Sequence, residues 1–151
     1  MSNKLVKNNQ INSNDIVIDD GSRVYNIRNK RRELIGQFTF VPSDLGVADR
    51  YHHAVKVFDE LQQQIESTTD ITDEIMGDIK VKMMNEIDAA FGANVSESFF
   101  KTTGPFTLLA DGDIFVVHIF DCLKTVIEKE TGTRLEKVKS RASKYTQKYH
   151  R

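Results

Sequence analysis

A single cysteine in 151 residues excludes an internal disulfide. That residue, Cys122, stands among Ile119, Phe120 and Leu123 and reads as a small buried apolar side chain. A cysteine nucleophile would need a nearby base and an electropositive setting, and the sequence marks neither. Long apolar runs are missing too. The most apolar stretch, from Ile114 to Leu123, is interrupted by His118 and Asp121 and is far shorter than the roughly 20 residues that span a bilayer. The opening MSNKLVKNNQINSND has no apolar segment of the signal-peptide kind, so a reducing, cytoplasmic setting is expected.

Catalytic signatures are equally scarce. The chain has no Gly-rich phosphate loop, no nucleophile elbow and no Ser-His-Asp order. His52 and His53 are adjacent, and adjacent helical side chains diverge by about 100 degrees, so they do not converge on one ion. No zinc spacing follows them, and a solvated helix face is the simpler account. His118, in an apolar helix, reads as a hydrogen-bonded core histidine. Asp111, Gly112 and Asp113 lack the remaining ligands of a calcium loop and read as a turn and helix start. The expectation is a non-enzyme with no catalytic, cofactor-binding or metal-binding residues.

What is present is an uneven distribution of charge. Residues 1–33 carry a balance of +3, residues 34–133 of -10 and residues 134–151 of +6, within a net charge of -1. An acidic body with a basic C-terminal arm is the strongest physical asymmetry in the chain. Length and composition suit one globular domain. Residues 1–14, rich in Asn and poor in apolar side chains, are expected to form a flexible leader. The globular domain is expected over 15–133, with a β-meander at 15–41 and helices at 43–131, and a basic amphipathic helix at 134–151.

The element pattern predicts an α+β fold that is mainly helical, with a β-hairpin or three-stranded meander leading into a bundle of four to five helices. Ile16, Val17 and Ile18, then Asp19 to Ser22, then Val24 to Ile27 give two β-rich runs around an Asp/Gly turn. A polar break at 29–32 precedes a third run at 34–41, which Pro42 ends. Ser43 or Asp44 is the expected cap of the next helix. Its stripe is Val47, Tyr51, Ala54, Phe58, Leu61 and Ile65. A second helix, starting near Asp70 or Thr72, carries Ile71, Ile75, Ile79, Met83, Ile87 and Phe91, with Gly92 placed for a left-handed cap. Asn94 and Glu97 suggest a capping box. The helix from Ile114 to about Glu130 is the candidate central core helix, and Ile79, Met83, Ile87, Phe115, Ile119 and Phe120 are expected to be buried.

The last segment places Leu135, Val138, Ala142, Tyr145 and Tyr149 at three-four spacing, surrounded by basic residues. Such a helix either docks on its own domain or offers its stripe to another chain. Its positive charge could meet phosphates, but the tyrosines continue the apolar stripe and the acidic body repels a polyanion, so nucleic acid is disfavoured. The expected partner-binding residues are Leu135, Val138, Arg141, Ala142, Lys144, Tyr145, Lys148 and Tyr149. Because the stronger apolar segments precede Gly132, removal of 134–151 is expected to leave a folded domain.

Three stretches resemble a family of small phage proteins, the tail assembly chaperones of long-tailed bacteriophages of Gram-positive hosts. They are FTFVPSDLGVADRYHHAVKVFDEL at 38–61, IDAAFGANVSESFFKTTGPFTLLADGDIFVVHIFDCL at 87–123, and the terminal KYTQKYHR; together they span about half the chain. The resemblance implies a morphogenesis factor of the host cytoplasm. It would bind a tape-measure or tail-tube protein, possess no cofactor and require no membrane. A homo-oligomer is compatible with it. A structural virion subunit, such as a head–tail connector or tail terminator, is the alternative, followed by a nucleic-acid-binding regulator using the basic helix.

Overall fold

Two amphipathic helices joined by a short loop make the largest part of the molecule. The computed structural model describes residues 9–92 and 94–132, together with Leu135 and Val138. The first helix, α1 (Val47–Ser67), buries Val47, Tyr51, Ala54, Phe58 and Leu61, the stripe expected from its spacing, while Ile65 at its end is half-buried. The second, α2 (Asp73–Phe91), buries Ile79, Met83, Ile87, Ala90 and Phe91. Thr72 caps α2, its hydroxyl accepting the Ile75 N–H at 3.1 Å. The two helices run antiparallel, since Arg50 reaches Ala90 and His53 reaches Glu86 across their interface.

The start of α1 differs from the expected cap. Neither Ser43 nor Asp44 caps it by a side chain; Gly46 occupies the position, and the Asp44 carboxylate instead faces Arg50 at 2.8 Å. At the other end of the pair, Gly92 has φ 124 and ψ 155, a conformation outside the left-handed well but reached in practice by glycine alone. The short helix α3 (Val95–Phe99) also departs from its expected capping box. Asn94 precedes it in a left-handed conformation and makes no side-chain cap. Asp88 of α2 takes over, its carboxylate accepting from Ser96 N at 2.8 Å and Ser96 Oγ at 2.9 Å.

The final described helix, α4 (Phe115–Thr131), buries Val116, Val117, Ile119, Phe120, Leu123 and Ile127. Phe120 is fully buried, edge-on to Tyr51 at 5.9 Å and 6.1 Å from Phe58. Phe115 is only half-buried, lying edge-on to Phe100. Cys122 corrects its sequence reading outright: it is exposed, because the helix turns it away from the Phe120 and Leu123 side. Partial desolvation of its sulfur, followed by the Asp121 carboxylate, still pushes its thiol up, the opposite of nucleophile activation.

Among the described residues the sheet has two strands, β1 (Arg23–Arg28) and β2 (Leu34–Phe40), paired antiparallel from Arg23 opposite Phe40 to Arg28 opposite Leu34. The expected first strand of the meander is absent, since residues 16–18 pair with nothing among the described residues. The hairpin that remains turns at the expected polar break. Asn29 Oδ1 accepts from Arg31 N and Glu33 N, and Arg32 takes a left-handed φ of 68. The Asp19 and Asp20 side chains close small turns onto the N–H groups of Gly21 and Ser22. Tyr25, Phe38 and Phe40 cluster within 5.7 Å of one another, and Phe99 and Phe91 join them to the helices.

Gly36 is where β2 meets α3. A Cβ there would lie 2.2 Å from the Ser98 carbonyl oxygen. Gly36→Ala is therefore expected to lower the melting temperature, whereas Gly77→Ala, where a Cβ meets nothing within 4 Å, should stabilise the protein by about 1 kcal/mol. Paired thermal melts check this; a Gly36→Ala protein as stable as the parent would disprove the β2–α3 contact. Tyr51 gives a pH test. Burial, then the Asp121 and Glu128 carboxylates, raises its phenol far above the ordinary value. The neutral phenol thus favours the folded state fully below about pH 10 and this contribution is lost as pH rises above that. Denaturation midpoints should fall above pH ~10, less steeply in Tyr51→Phe; identical slopes would contradict the assignment.

Candidate interaction surface

Three groups of polar side chains cover the body. Arg50 donates from Nε to the Ala90 carbonyl at 2.9 Å, satisfying a free acceptor at the C-terminal end of α2. The same guanidinium, ahead of the Gly46 N–H, holds the Asp44 carboxyl below the usual carboxylate range. His53 Nδ1 lies 2.5 Å from Glu86 Oε2, and these residues with Asp49, Ala89 and Ala90 line an open groove of about 490 Å³ between α1 and α2. The pair His52 and His53 is on an exposed face as expected, but His53 has a defined partner.

The third group is Asp111, Asp113 and His118, whose ligating atoms lie within 4.8 Å of one another. Three donors at that spacing can reach one cation. Here His118 Nε2 sits 3.0 Å from Asp111 and 3.8 Å from Asp113, so the imidazole fills the place between the carboxylates. The Asp113 N–H, more than His118, lowers the Asp111 carboxyl. His118 is accordingly a half-exposed acid-paired residue, in contrast to the core histidine expected.

The apolar surface is more telling. Ten large hydrophobic side chains are exposed among the described residues, and six of them, Ile11, Ile16, Val17, Ile18, Val24 and Leu34, fall in residues 11–34. Ile16, Val17 and Ile18 are 91%, 76% and 79% exposed, so the body does not cover them. The small turns at residues 19–22 separate them from β1. On the far side of the sheet α3 closes on β2, with Ser98 Oγ donating to the Gln37 carbonyl at 2.7 Å. The outer edge of β1 has no strand beside it among the described residues. An open edge next to an uncovered run of β-branched side chains is a site for polypeptide pairing. The sequence marks the run clearly; its reading as the first strand of the chain's own meander hid its exposure.

The sequence-predicted site residues divide. Leu135 and Val138 are 5% and 4% exposed and belong to the hydrophobic core. Gly132, with φ 74, turns the chain out of α4, and Leu135 N donates to Glu128 Oε2 at 2.6 Å. Arg141, Ala142, Lys144, Tyr145, Lys148 and Tyr149 lie outside the described residues. No helix among the described residues is long and apolar enough to cross a membrane.

This burial changes the outcome expected for truncation. Removing 134–151 strips two core side chains, each worth roughly 1.5–3 kcal/mol of burial, so that protein should melt well below one ending at residue 138. Thermal melts of the two truncations decide it, and equal stability would show that Leu135 and Val138 are not core residues. In comparisons with protein-family models, curated proteins and solved structures, no match to this chain is found.

Proposed function

We propose that the chain is a non-enzymatic tail assembly chaperone of a long-tailed bacteriophage, acting in the host cytoplasm by binding the tape-measure protein. The observation that carries the protein-binding part is the concentration of exposed large apolar side chains in residues 11–34, a surface suited to cover by polypeptide. The phage part rests on the sequence resemblance at 38–61, 87–123 and the C-terminus. The basic segment with Arg141, Lys144, Tyr145, Lys148 and Tyr149 is the proposed client contact. Leu135 and Val138, held in the core, would anchor it to an acidic body. Tyrosine and arginine are the types that most often dominate interface energies.

A structural virion subunit, a head–tail connector or tail terminator, is the second reading. It is favoured by the exposed segment beside an open strand edge, which subunits of a ring could share. Purified virions separate the two: a chaperone is missing from them and a connector is present. Co-expression with the tape-measure protein tests the client. The full chain is expected to keep that protein soluble and to co-purify with it, and the protein ending at residue 138 to lose it. Undiminished co-purification by the truncated protein would remove the basic segment as the client site.

A further inference from the structure

We propose that residues 15–20 of one copy add as a third, antiparallel strand to the open edge of β1 in a second copy, and that the exchange is reciprocal. The inference rests on the polypeptide-binding reading of this surface and is independent of the tail-assembly role.

The donor segment is defined by what its own chain leaves undone. Residues 16–18 are three consecutive β-branched side chains, each more than three-quarters exposed, and residues 16–20 make no backbone hydrogen bond to β1 among the described residues. Gly21, with φ 80, places its Cα so that a Cβ would lie 3.3 Å from Val41. Residue 21 thus lies beside the residue that follows β2, and residues 15–20 pair with no strand among the described residues. The acceptor is the outer edge of β1, which has no strand beside it among the described residues and so offers backbone groups for pairing.

Charge favours a second copy as partner: within one chain Asp19 reaches Arg23 at 3.7 Å, while Asp15 and Arg28 form no ion pair with each other. Residues 15–20 contain Asp15, Asp19 and Asp20 and no basic residue, whereas residues 23–32 contain Arg23, Arg28, Lys30, Arg31 and Arg32 and no acidic one. One antiparallel register uses both ends: Asp15 opposite Arg28 and Asp20 opposite Arg23. The same register sets Ile16 beside Ile27 and Ile18 beside Tyr25. Ile27 and Tyr25 are the half-buried residues of β1 that pack on the core, so the two isoleucines extend the apolar face of the sheet. Val17 falls beside Asn26 on the outer face. A second copy of this chain supplies that complementary segment, and a two-fold axis lets both copies give and receive.

The test uses the full chain without any client, in light-scattering-coupled gel filtration over a dilution series. The wild type is expected to be a dimer. The I16D/I18D double variant should weaken dimerisation by more than about a hundredfold, equivalent to about 2.7 kcal/mol, with unchanged circular dichroism, since these side chains are largely exposed and lie outside the core. The D15K/D20K and R23E/R28E variants should each be monomeric, and a mixture of the two should form a heterodimer, because each carries the edge that the other's segment fits. Pairing within one chain would leave the mixture monomeric and overturn the proposal. A monomeric wild type, or a dimer unaffected by I16D/I18D, would overturn it too. Should R23E/R28E not fold, amide exchange decides: residues 16–18 and 23–28 exchange more slowly in the wild type than in I16D/I18D, and equal rates refute the exchange. A negative result here leaves the tape-measure experiment standing, and the reverse also holds.

Discussion

Phe120 sits where three parts of the core meet, fully buried and flanked by Tyr51 and Phe58 of α1. The constraint behind this is the first half of α4, which is apolar on most of its circumference and has to be covered from several directions at once. The paired helices α1 and α2 provide one cover with their stripes. Leu135 and Val138, returning after Gly132, contribute to the same core. The aromatic side chains of the hairpin reach it through Phe91 and Phe99.

Polar contacts then set where the smaller elements sit on this core. Asp88 holds the start of α3, and Ser98 of α3 holds β2 through the Gln37 carbonyl. Gly36 permits the close approach that the Ser98 contact requires. Arg50 ties the C-terminal end of α2 to the loop before α1. One edge of the hairpin is thereby used up against α3. The other has no strand beside it among the described residues, and the uncovered run at 16–18 precedes it in the chain.

The two ends of the chain differ in charge and in relation to the body. At the N-terminal side an acidic, β-branched segment stands off the surface beside a basic strand. At the C-terminal side the first apolar residues of a basic segment are built into the core. Assembly through the first and client binding through the second would be separable functions, one served by backbone pairing and the other by side-chain contacts.

The sequence by itself determined the helices. The 3.6-residue period is local, so most of the stripes expected from Val47 to Ile65 and from Ile71 to Phe91 could be read, although Ile71 is exposed before α2 and the start of that helix was legible only as Asp70 or Thr72. It also determined the α+β, mainly helical class and the β-rich character of 23–28 and 34–40. The pairing of 23–28 with 34–40 across the polar stretch follows the expected meander, whereas the expected first strand at 16–18 does not pair, because strand pairing is non-local and a β-rich run alone does not specify a partner. The exposure of Cys122, the pairing of His53 with Glu86 and of His118 with Asp111, and the burial of Leu135 and Val138 depend on which surfaces meet. The tertiary structure alone decided those, since each is set by packing between segments whose order along the chain does not encode their distance in space.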